Sequence, residues 1–546
     1  MTEWWRGGVI YQVYPRSFQD SNGDGVGDLP GIIRRLDHIA GLGVDCIWLS
    51  PITRSPQADM GYDVSDYRDV DPLFGSLHDF DSLVEQAHAR NLKVIMDQVV
   101  SHTSDLHPWF QESRLNRTNA KADWYVWADP LPDGSPPNNW PAVFGGRAWE
   151  WNPTRGQYYL HNFLASQPDL NFHNLNVQQA VLDVMRFWLE RGIDGFRLDT
   201  VNYYFHDKKL RSNPPNKLPE HLPYAVNPYD MQEHKYSKSQ PENVDFLKRV
   251  RTLLNEYPGA ASVGEVGDSH QSVQLMAEYT SGGDTLHMCY GFDFLGNDFT
   301  ATHFRERIET FFKVGPDGWP CWSFSNHDVP RHMTRWAKHS QSPAELARQS
   351  AALVLSLKGS VCLYQGEELG LPETDLLFEE LTDPRGIRFW PEDKGRDGCR
   401  TPMPWDAGEA PNGFTTGTPW LPVKPAQSAL NVASQNADES STLAFYRAAL
   451  AWRKQHPCLQ TGEIAFLKAA EPVLAFTRLE GNDGLLCVFN LSAEPQSLTV
   501  TGLLDGTTLE AVSQNADLDG IALTLGASGY AFVPVPAGRP VDLRAA

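Results

Sequence analysis

Three carboxylates stand at the ends of short apolar runs: Asp199 in GFRLDT, Glu265 in ASVGEV and Asp328 in SFSNHD. Each run predicts a buried strand, so the three acids would lie at the carboxyl ends of three strands. Buried like charges are costly unless the chemistry of a site requires them. Hydrolysis of a glycosidic bond requires two such acids, one as nucleophile and one as proton donor. The three acids therefore predict the site of a glycosidase.

Eight short apolar runs alternate with amphipathic stretches along most of the chain. Stretches such as LPGIIRRLDHIAGLG and FDSLVEQAHARN carry apolar residues at helical spacing. Eight strands with intervening helices predict a (β/α)8 TIM barrel, whose site lies at the carboxyl-terminal face. The predicted strands are 9–15, 45–51, 92–100, 193–199, 261–266, 287–294, 321–328 and 360–368.

The barrel pattern is interrupted by long connections and is followed by a different pattern. Long barrel loops commonly carry substrate contacts. Near the C-terminus, apolar and polar residues alternate around an Asn482-Asp483-Gly484 turn, which predicts antiparallel strands. The predicted parts are the barrel at 1–101 and 175–456 with a small insertion at about 371–405, an inserted lobe at 102–174, and a C-terminal β-sandwich at 457–546.

The charge balance narrows the class of partner. The chain has 46 basic and 68 acidic residues, a formal net charge of -22, which repels nucleic acid and anionic lipid and favours a neutral or cationic ligand. No run approaches the ~18 apolar residues that span a bilayer, and the N-terminus lacks a signal pattern, which predicts a cytoplasmic location. The seven cysteines have no ligand-like spacing, which predicts buried free thiols.

Five motifs occur in an order that is typical of one family. They are DQVVSH at 97–102, QPDLN at 167–171, GFRLDT at 195–200, GEV at 264–266 and SNHD at 325–328. With these motifs the chain resembles glycoside hydrolase family 13, the α-amylase family, and within it the bacterial α-glucosidase and oligo-1,6-glucosidase branch. The resemblance covers nearly the whole chain. It implies a small oligosaccharide or α-glucoside substrate and no organic cofactor.

The resemblance also implies a role for each acid. Asp199 would attack the anomeric carbon, and Arg197, two residues earlier on the same strand face, would keep that carboxylate ionised. Glu265 would act first as the general acid and then as the general base. Asp328 would bind sugar hydroxyls and favour the distorted ring of the transition state.

Further residues match positions that bind the sugar in the family. Tyr62 would stack under the glucose, and Asp59 together with Arg400 would bind the hydroxyls at the non-reducing end. An Asp-Arg pair there closes the pocket, which implies cleavage of single glucose units from chain ends. The other residues implied to bind the sugar or to line the pocket are His102, His327, Phe144, Phe163 and Gln167.

The sequence DSNGDGVGD resembles the first part of a calcium loop. The predicted role is one structural divalent cation, calcium or magnesium. The alternative is a turn held by Asx hydrogen bonds. A second ion between barrel and lobe is not expected, because Ser101 replaces the asparagine found in many amylases. The predicted ligands are Asp20, Asn22, Asp24, the backbone carbonyl of Val26, and Asp28.

Thr200, directly after Asp199, is expected to influence which type of glycosidic bond is cleaved. In relatives a valine at this position accompanies α-1,6 cleavage, whereas threonine or alanine accompanies α-1,4 preference, so Thr200 favours maltose-type bonds. The loop 201–216 is long enough to crowd the leaving-group side, which favours short donors. The sequence leaves open whether water, a sugar or an alcohol is the preferred acceptor.

Two alternative functions are compatible with parts of this pattern, and the sequence does not specify the oligomeric state. A sucrose hydrolase or isomerase, or an oligo-1,6-glucosidase, shares every catalytic residue. A non-catalytic heavy chain of an amino acid transporter needs a transmembrane helix and tolerates loss of the acids. The chain has no such helix and keeps all three acids, which disfavours that class.

Overall fold

A parallel barrel forms the centre of the molecule. The computed structural model describes residues 3–217, 225–536 and 538–545. All eight predicted strands are present and almost entirely buried, which confirms the predicted (β/α)8 barrel. Labelled β1 to β8 in chain order, they are Val9–Val13, Cys46–Leu49, Lys93–Gln98, Gly195–Leu198, Ala261–Val266, Met288–Gly291, Cys321–Ser323 and Ser360–Tyr364.

The barrel strands pair in the order β6-β5-β4-β3-β2-β1-β8-β7. Between β6 and β7 the described residues form a single isolated parallel bridge, Cys289 to Pro320, in place of a ladder. Pro320 has no backbone N–H to donate, and β7 is only three residues long. This β6–β7 junction closes the barrel with much less hydrogen bonding than the other seven pairs.

The seventh strand is shorter than predicted. It ends at Ser323, so Asp328 lies in the following loop and not at the strand end. The Asn326 side chain accepts a hydrogen bond from the Asp328 N–H at 2.9 Å. Such a local side-chain turn competes with strand pairing and ends the strand early.

Helices surround the barrel. The predicted helix at 29–43 is divided at Arg35, whose ψ of 7° is not helical. A capping box between Ser76 and Asp79 begins the helix at Leu77. The α-helices are Leu29–Arg34, Leu36–Leu42, Leu77–His88, Pro108–Ser113, Leu175–Leu189, Asn243–Leu254, Ser272–Thr280, Ala301–Val314, His332–Arg335, Pro343–Ser356, Pro384–Phe389, Pro425–Ser428, Val432–Asn436, Thr442–Gln455 and Pro457–Gln460.

The connection between β3 and β4 has a small sheet and an apolar cluster of its own. Trp140 and Trp149 lie at the centre of that cluster, with ring centroids 6.0 Å apart. The three antiparallel strands of this lobe are Trp127–Ala128, Trp149–Asn152 and Gln157–Leu160, and a separate hairpin pairs Thr53–Arg54 with Asp66–Val70.

The C-terminal region is an antiparallel sheet, as predicted. The turn between the strands Val473–Glu480 and Asp483–Asn490 is Gly481-Asn482 and not Asn482-Asp483-Gly484, because Glu480 pairs with Asp483 and Gly481 has φ 58°. The 13-residue strand Ala522–Pro534 pairs with Asp483–Asn490 near its end. Nearer its start it pairs with Gln496–Thr501 and Gln514–Asp519, so the sheet folds over a shared apolar core. Its strands are Glu463–Phe466, Val473–Glu480, Asp483–Asn490, Gln496–Thr501, Gln514–Asp519, Ala522–Pro534 and Asp542–Ala545.

All seven cysteines are buried and have free thiols. Within the described ranges, the helices are too short or too polar to cross a membrane.

Candidate active site

One guanidinium group joins three carboxylates at the carboxyl ends of the strands. Arg197 Nη1 lies 2.7 Å from Asp97 Oδ1 and 2.6 Å from Asp199 Oδ1, and Nη2 lies 2.6 Å from Glu265 Oε1. The Tyr290 hydroxyl accepts from Arg197 Nη2 at 2.8 Å and donates to Glu265 Oε1 at 2.9 Å. We call these five residues the Arg197 cluster.

The register of four adjacent strands explains the cluster. Asp97 on β3 lies opposite Arg197 on β4, and Glu265 on β5 lies opposite Tyr290 on β6. Asp199 comes directly after β4. Because neighbouring parallel strands end at the same edge of a sheet, the barrel brings these side chains together without any long-range loop.

The Arg197 cluster has more acids than cations. Burial raises the pKa of Asp199 and of Glu265 to about 7 and that of Asp97 to about 6, and the Arg197 guanidinium opposes each shift. Burial lowers the pKa of Arg197, but its acidic neighbours outweigh burial and raise that pKa well above its usual range. One cation faces three acids, so the cluster retains a proton near neutral pH.

Asp328 has a different environment. Its Oδ1 lies 3.0 Å from Arg400 Nη2 and 3.5 Å from Arg396 Nη1, and its Oδ2 lies 3.2 Å from His327 Nε2. Burial opposes its ionisation, but His327 and the two guanidinium groups outweigh burial and lower the pKa of Asp328 below its usual range. Asp328 therefore ionises more readily than the acids of the Arg197 cluster.

The predicted residues meet around one cavity of about 330 Å³. This volume is at the lower end of the range for ligand pockets. The sequence predicted thirteen residues that are catalytic or bind the sugar. Four of them do not line the cavity, namely Arg197, Gln167, His327 and Arg400. The nine that line the cavity are Asp59, Tyr62, His102, Phe144, Phe163, Asp199, Thr200, Glu265 and Asp328.

The predicted pairing of Asp59 with Arg400 is wrong. Asp59 Oδ1 lies 2.7 Å from Arg396 Nη2, and Arg396 also contacts Asp383 Oδ1 at 2.7 Å. Arg400 instead donates to the His327 carbonyl at 2.7 Å and to Asp328. Both arginines belong to the segment GRDGCRTPMPW, but they face different acids because the 3-10 turn Asp397–Cys399 separates them.

Tyr62, His102 and Gln167 form one hydrogen-bonded group beside the cavity. His102 Nε2 lies 2.8 Å from the Tyr62 carbonyl, and burial lowers the pKa of His102 to about 4. Gln167 donates to Asp59 Oδ2 at 3.0 Å, so it orients that acid from behind. The Tyr62 ring stacks on His327 at a centroid distance of 5.3 Å, and its hydroxyl donates to Asp97 at 3.0 Å.

This geometry agrees with the comparisons with known proteins. The family model for the alpha amylase catalytic domain matches residues 12–462. The chain belongs to the alpha-amylase family. It is 57% identical over 496 residues to a probable alpha-glucosidase of Rhizobium meliloti (strain 1021), with 90% of each chain covered.

Two other relatives extend this result. An oligo-1,6-glucosidase of Heyndrickxia coagulans is 39% identical over 529 residues, with 90% of this chain and 93% of the relative covered. The crystal structure of the alpha-glucosyl transfer enzyme XgtA superposes with a TM-score of 0.94 at 54% identity, covering 98% of this chain and 100% of that one. Fold and family membership are therefore shown along nearly the full length.

Thr200 has a strained backbone in this alpha-amylase family site. Its φ of 40° is in the left-handed region, which is unusual for a β-branched residue. In this conformation the Thr200 N–H donates to Glu265 Oε2 at 3.1 Å, and its hydroxyl lies 3.3 Å from Asp199 Oδ2 and 3.0 Å from Ser101 Oγ. Thr200 thus contacts both reacting acids.

The loop predicted to hold a cation is formed by Asx turns. Asp20 accepts hydrogen bonds from the N–H groups of Asn22 and Gly23, both at 2.8 Å, from that of Gly25 at 2.9 Å, and from Thr415 Oγ1. Four donors occupy all the acceptor sites of this carboxylate.

The remaining loop side chains have partners as well. Asn22 and Asp24 accept from the N–H groups two residues on, including that of Val26 at 2.9 Å, and Asp28 caps the helix at Leu29 through the Gly31 N–H at 2.6 Å. These contacts are the Asx hydrogen bonds of the alternative, and Asn22 and Asp24 each keep acceptor sites beside them, so the predicted cation stays a prediction. Metal analysis of the purified protein tests the predicted cation.

Sequence reasoning missed five residues with direct roles in the geometry. Asp97 and Tyr290 belong to recognised strands, and their alternation with Met96 and Cys289 could have placed them on the inner face. Arg396 and Asp383 lie in a loop, where spacing gives no such signal. Arg385 lines the cavity and pairs with Asp393 at 2.8 Å.

Proposed function

We propose that the protein is a retaining α-glucosidase that removes one terminal α-1,4-linked glucose from short donors and passes it to water or to another hydroxyl compound. Asp199 attacks the anomeric carbon as Glu265 protonates the departing oxygen, which leaves a β-glucosyl ester on Asp199. Glu265, now ionised, takes a proton from the incoming hydroxyl, which displaces Asp199 and restores both groups.

The observation that carries this proposal is the shared guanidinium. Asp199 and Glu265 contact adjacent nitrogens of Arg197, each at 2.6 Å. This keeps the two carboxyl groups close, which favours the retaining separation of about 5–5.5 Å over the inverting separation of roughly 6.5–9.5 Å. The proton retained by the Arg197 cluster supplies the general acid.

Exo action is supported by the closed end of the cavity. Arg396 is 6% exposed and holds Asp59 and Asp383 together, with Gln167 behind Asp59. A longer chain cannot continue past this ion pair without breaking it. The paired groups instead present hydrogen-bond partners to the hydroxyls of a terminal glucose.

The long loop after β4 supports a preference for short donors. The loop after β4 crosses to the lobe, where Asn227 donates to the Val143 carbonyl at 2.7 Å and Gln232 donates to the Asn139 carbonyl at 2.8 Å. Val143 lines the cavity, so this crossing forms part of the cavity wall. Thr200, next to Asp199, supports preference for the α-1,4 bond.

Proton NMR of the first product released from maltose tests the proposal. A retaining enzyme releases α-glucose before mutarotation, and first-formed β-glucose would overturn the mechanism. Initial rates on maltose, isomaltose and sucrose separate the proposed activity from the alternatives. A kcat/KM that is highest on maltose supports the proposal. A kcat/KM that is highest on isomaltose would indicate an oligo-1,6-glucosidase instead, and one that is highest on sucrose would indicate a sucrose hydrolase or isomerase.

A further inference from the structure

A buried lysine lies beside the active site, outside the catalytic set. Lys238 is in the long loop after β4 and is 4% exposed. Its ammonium group lies 3.0 Å from the Tyr203 hydroxyl, 3.1 Å from the Tyr229 hydroxyl and 2.7 Å from the Gly267 carbonyl. Among the described residues no carboxylate lies within 4 Å of it, so its partners are neutral.

These contacts satisfy the lysine completely. An ammonium group has three hydrogens to donate, and here each has one acceptor. The Tyr203 and Tyr229 rings also lie 4.8 Å and 5.3 Å from the ammonium nitrogen, and their hydroxyls are 2.7 Å apart. One side chain therefore fixes two rings and one strand end.

Two of these partners line the active-site cavity, namely Tyr203 and Gly267. Gly267 follows Glu265 by two residues, and Glu265 protonates the leaving oxygen. Tyr203 and Gly267 therefore border the acceptor side, by which we mean the side of the scissile bond away from the bound glucose. A Cβ at Gly267 would lie 3.4 Å from the Tyr203 ring, so the ring packs directly on the backbone.

Three apolar side chains lie in the same cavity wall as Tyr203. Phe163, Phe292 and Val329 line the same cavity, and the Phe163 ring centroid is 5.7 Å from that of Tyr203. Aromatic faces bind the flat apolar side of a ring more strongly than they bind water. The orientation of Tyr203 therefore determines how well a ring-bearing acceptor competes with water.

We propose that Lys238 is a positioning residue that holds Tyr203 as the binding face for acceptors that carry a six-membered ring, either a pyranose or an arene. This inference rests on the proposed α-glucosidase function and extends it to the choice of acceptor. Lys238 acts through Tyr203 and does not contact the reacting atoms. It sets the ratio of glucosyl transfer to hydrolysis.

The test uses α-glucosyl fluoride as donor, because the small fluoride leaving group does not need the acceptor side. Glucose, benzyl alcohol and ethanol are supplied as acceptors, and the ratio of transfer to hydrolysis is measured for each. Lys238→Met should lower the ratio about fivefold for glucose, benzyl alcohol or both, and less than about twofold for ethanol. The arms with glucose and benzyl alcohol show which kind of ring is bound.

A double-mutant cycle tests the route of action. Tyr203→Ala should lower the same ratios, and adding Lys238→Met to it should cause no further loss, because the ring that Lys238 orients is gone. Tyr203→Phe keeps the ring but loses the hydroxyl contact, so it should give an intermediate ratio even if Lys238→Met fails to fold. Lys235→Met changes an exposed lysine of the same loop and is the matched control.

Several outcomes would overturn the proposal. These are unchanged ratios for both ring acceptors in Lys238→Met and Tyr203→Phe, an equal loss for ethanol, or an additive loss in the double variant. A matching fall in kcat/KM for α-glucosyl fluoride would show a general defect instead of a positioning role. If the wild-type protein released no glucose from maltose or α-glucosyl fluoride, the proposed function would fail first, which is a separate result.

Discussion

At the scale of single residues, Arg197 decides how the site is charged. Its two terminal nitrogens bond Asp97, Asp199 and Glu265, all within 2.7 Å. The proton required by the leaving group is therefore held by a coupled set of acids rather than by an isolated glutamic acid. Asp328 pairs with arginines instead and does not share this proton.

The two reacting acids should respond differently to the leaving group. Glu265→Gln removes the proton donor, so kcat on maltose should fall by about a thousandfold, whereas an aryl α-glucoside with a good leaving group should lose about tenfold or less. Asp199→Asn removes the nucleophile and should abolish turnover of both. Steady-state rates on maltose and 4-nitrophenyl α-glucoside measure this difference. Equal residual rates of the two variants on both substrates would contradict the assignment.

Arg396 should matter more than the partly exposed Arg385. Lysine retains the charge but cannot form the forked contacts to Asp59 and Asp383, so Arg396→Lys should lower kcat/KM on maltose about a hundredfold. Arg385→Lys is the matched control, since Arg385 lines the same cavity but is partly exposed and pairs with Asp393. Its loss should be under about tenfold. A larger loss in Arg385→Lys than in Arg396→Lys would show that the Asp59 pair is not what binds the terminal glucose.

At the scale of elements, the end of β4 combines strain and recognition. The left-handed Thr200 directs its N–H at Glu265 and its hydroxyl at Asp199 and Ser101. A residue with φ 40° persists only where its surroundings hold it, and such positions are common at functional sites.

Replacement of the Thr200 hydroxyl should change linkage preference. Thr200→Val should raise the ratio of isomaltose to maltose kcat/KM about tenfold, because loss of a contact at the leaving group is worth ~1–2 kcal/mol. Thr200→Ser keeps the hydroxyl and should change the ratio little. Kinetics of both variants on the two disaccharides provide the measurement. An unchanged ratio in a folded valine variant would place linkage choice in the loop 201–216.

The sequence predicted those parts of the site that follow from strand order. Asp199 and Glu265 could be placed because each belongs to an apolar run, and Arg197 because it precedes Asp199 by two residues. The partner of Asp59 could not be placed. It depends on how the loop around Asp397–Cys399 turns, and local spacing contains no information on which of two nearby arginines faces which acid. Similarly, only the Asn326 turn shows that β7 ends five residues before Asp328.

At the scale of the whole molecule, buried acids should make stability depend on pH. Burial raises the pKa of Glu367 to about 8, although the Tyr364 N–H and Arg331 oppose the shift. The folded state therefore holds this proton more tightly than the unfolded chain, whose glutamate pKa is about 4.3. The stabilisation that this bound proton gives the folded state is complete below about pH 4.3. It is lost as the pH rises through about 8.

Glu367→Gln should reduce this pH dependence. The amide stays neutral, so the fall in Tm between pH 5 and 8 should be smaller than in the wild type by about 2 °C or more. Thermal unfolding followed by circular dichroism over that range measures the effect, and Glu309→Gln, on an exposed helix face, is the control. An identical fall in the wild type and Glu367→Gln would mean that Glu367 does not titrate in this range.

The β6–β7 junction has a consequence for motion in the barrel. Along the hydrogen-bonded order of strands, β5 with Glu265 stands near one end and β7, which leads to Asp328, stands at the other, although the closed barrel makes them near neighbours. Fluctuations that part this junction break one bridge and leave every ladder intact. The distance between the proton donor and the transition-state acid can therefore vary without unfolding, and amide hydrogen exchange in β6 and β7 should be faster than in β1 to β3.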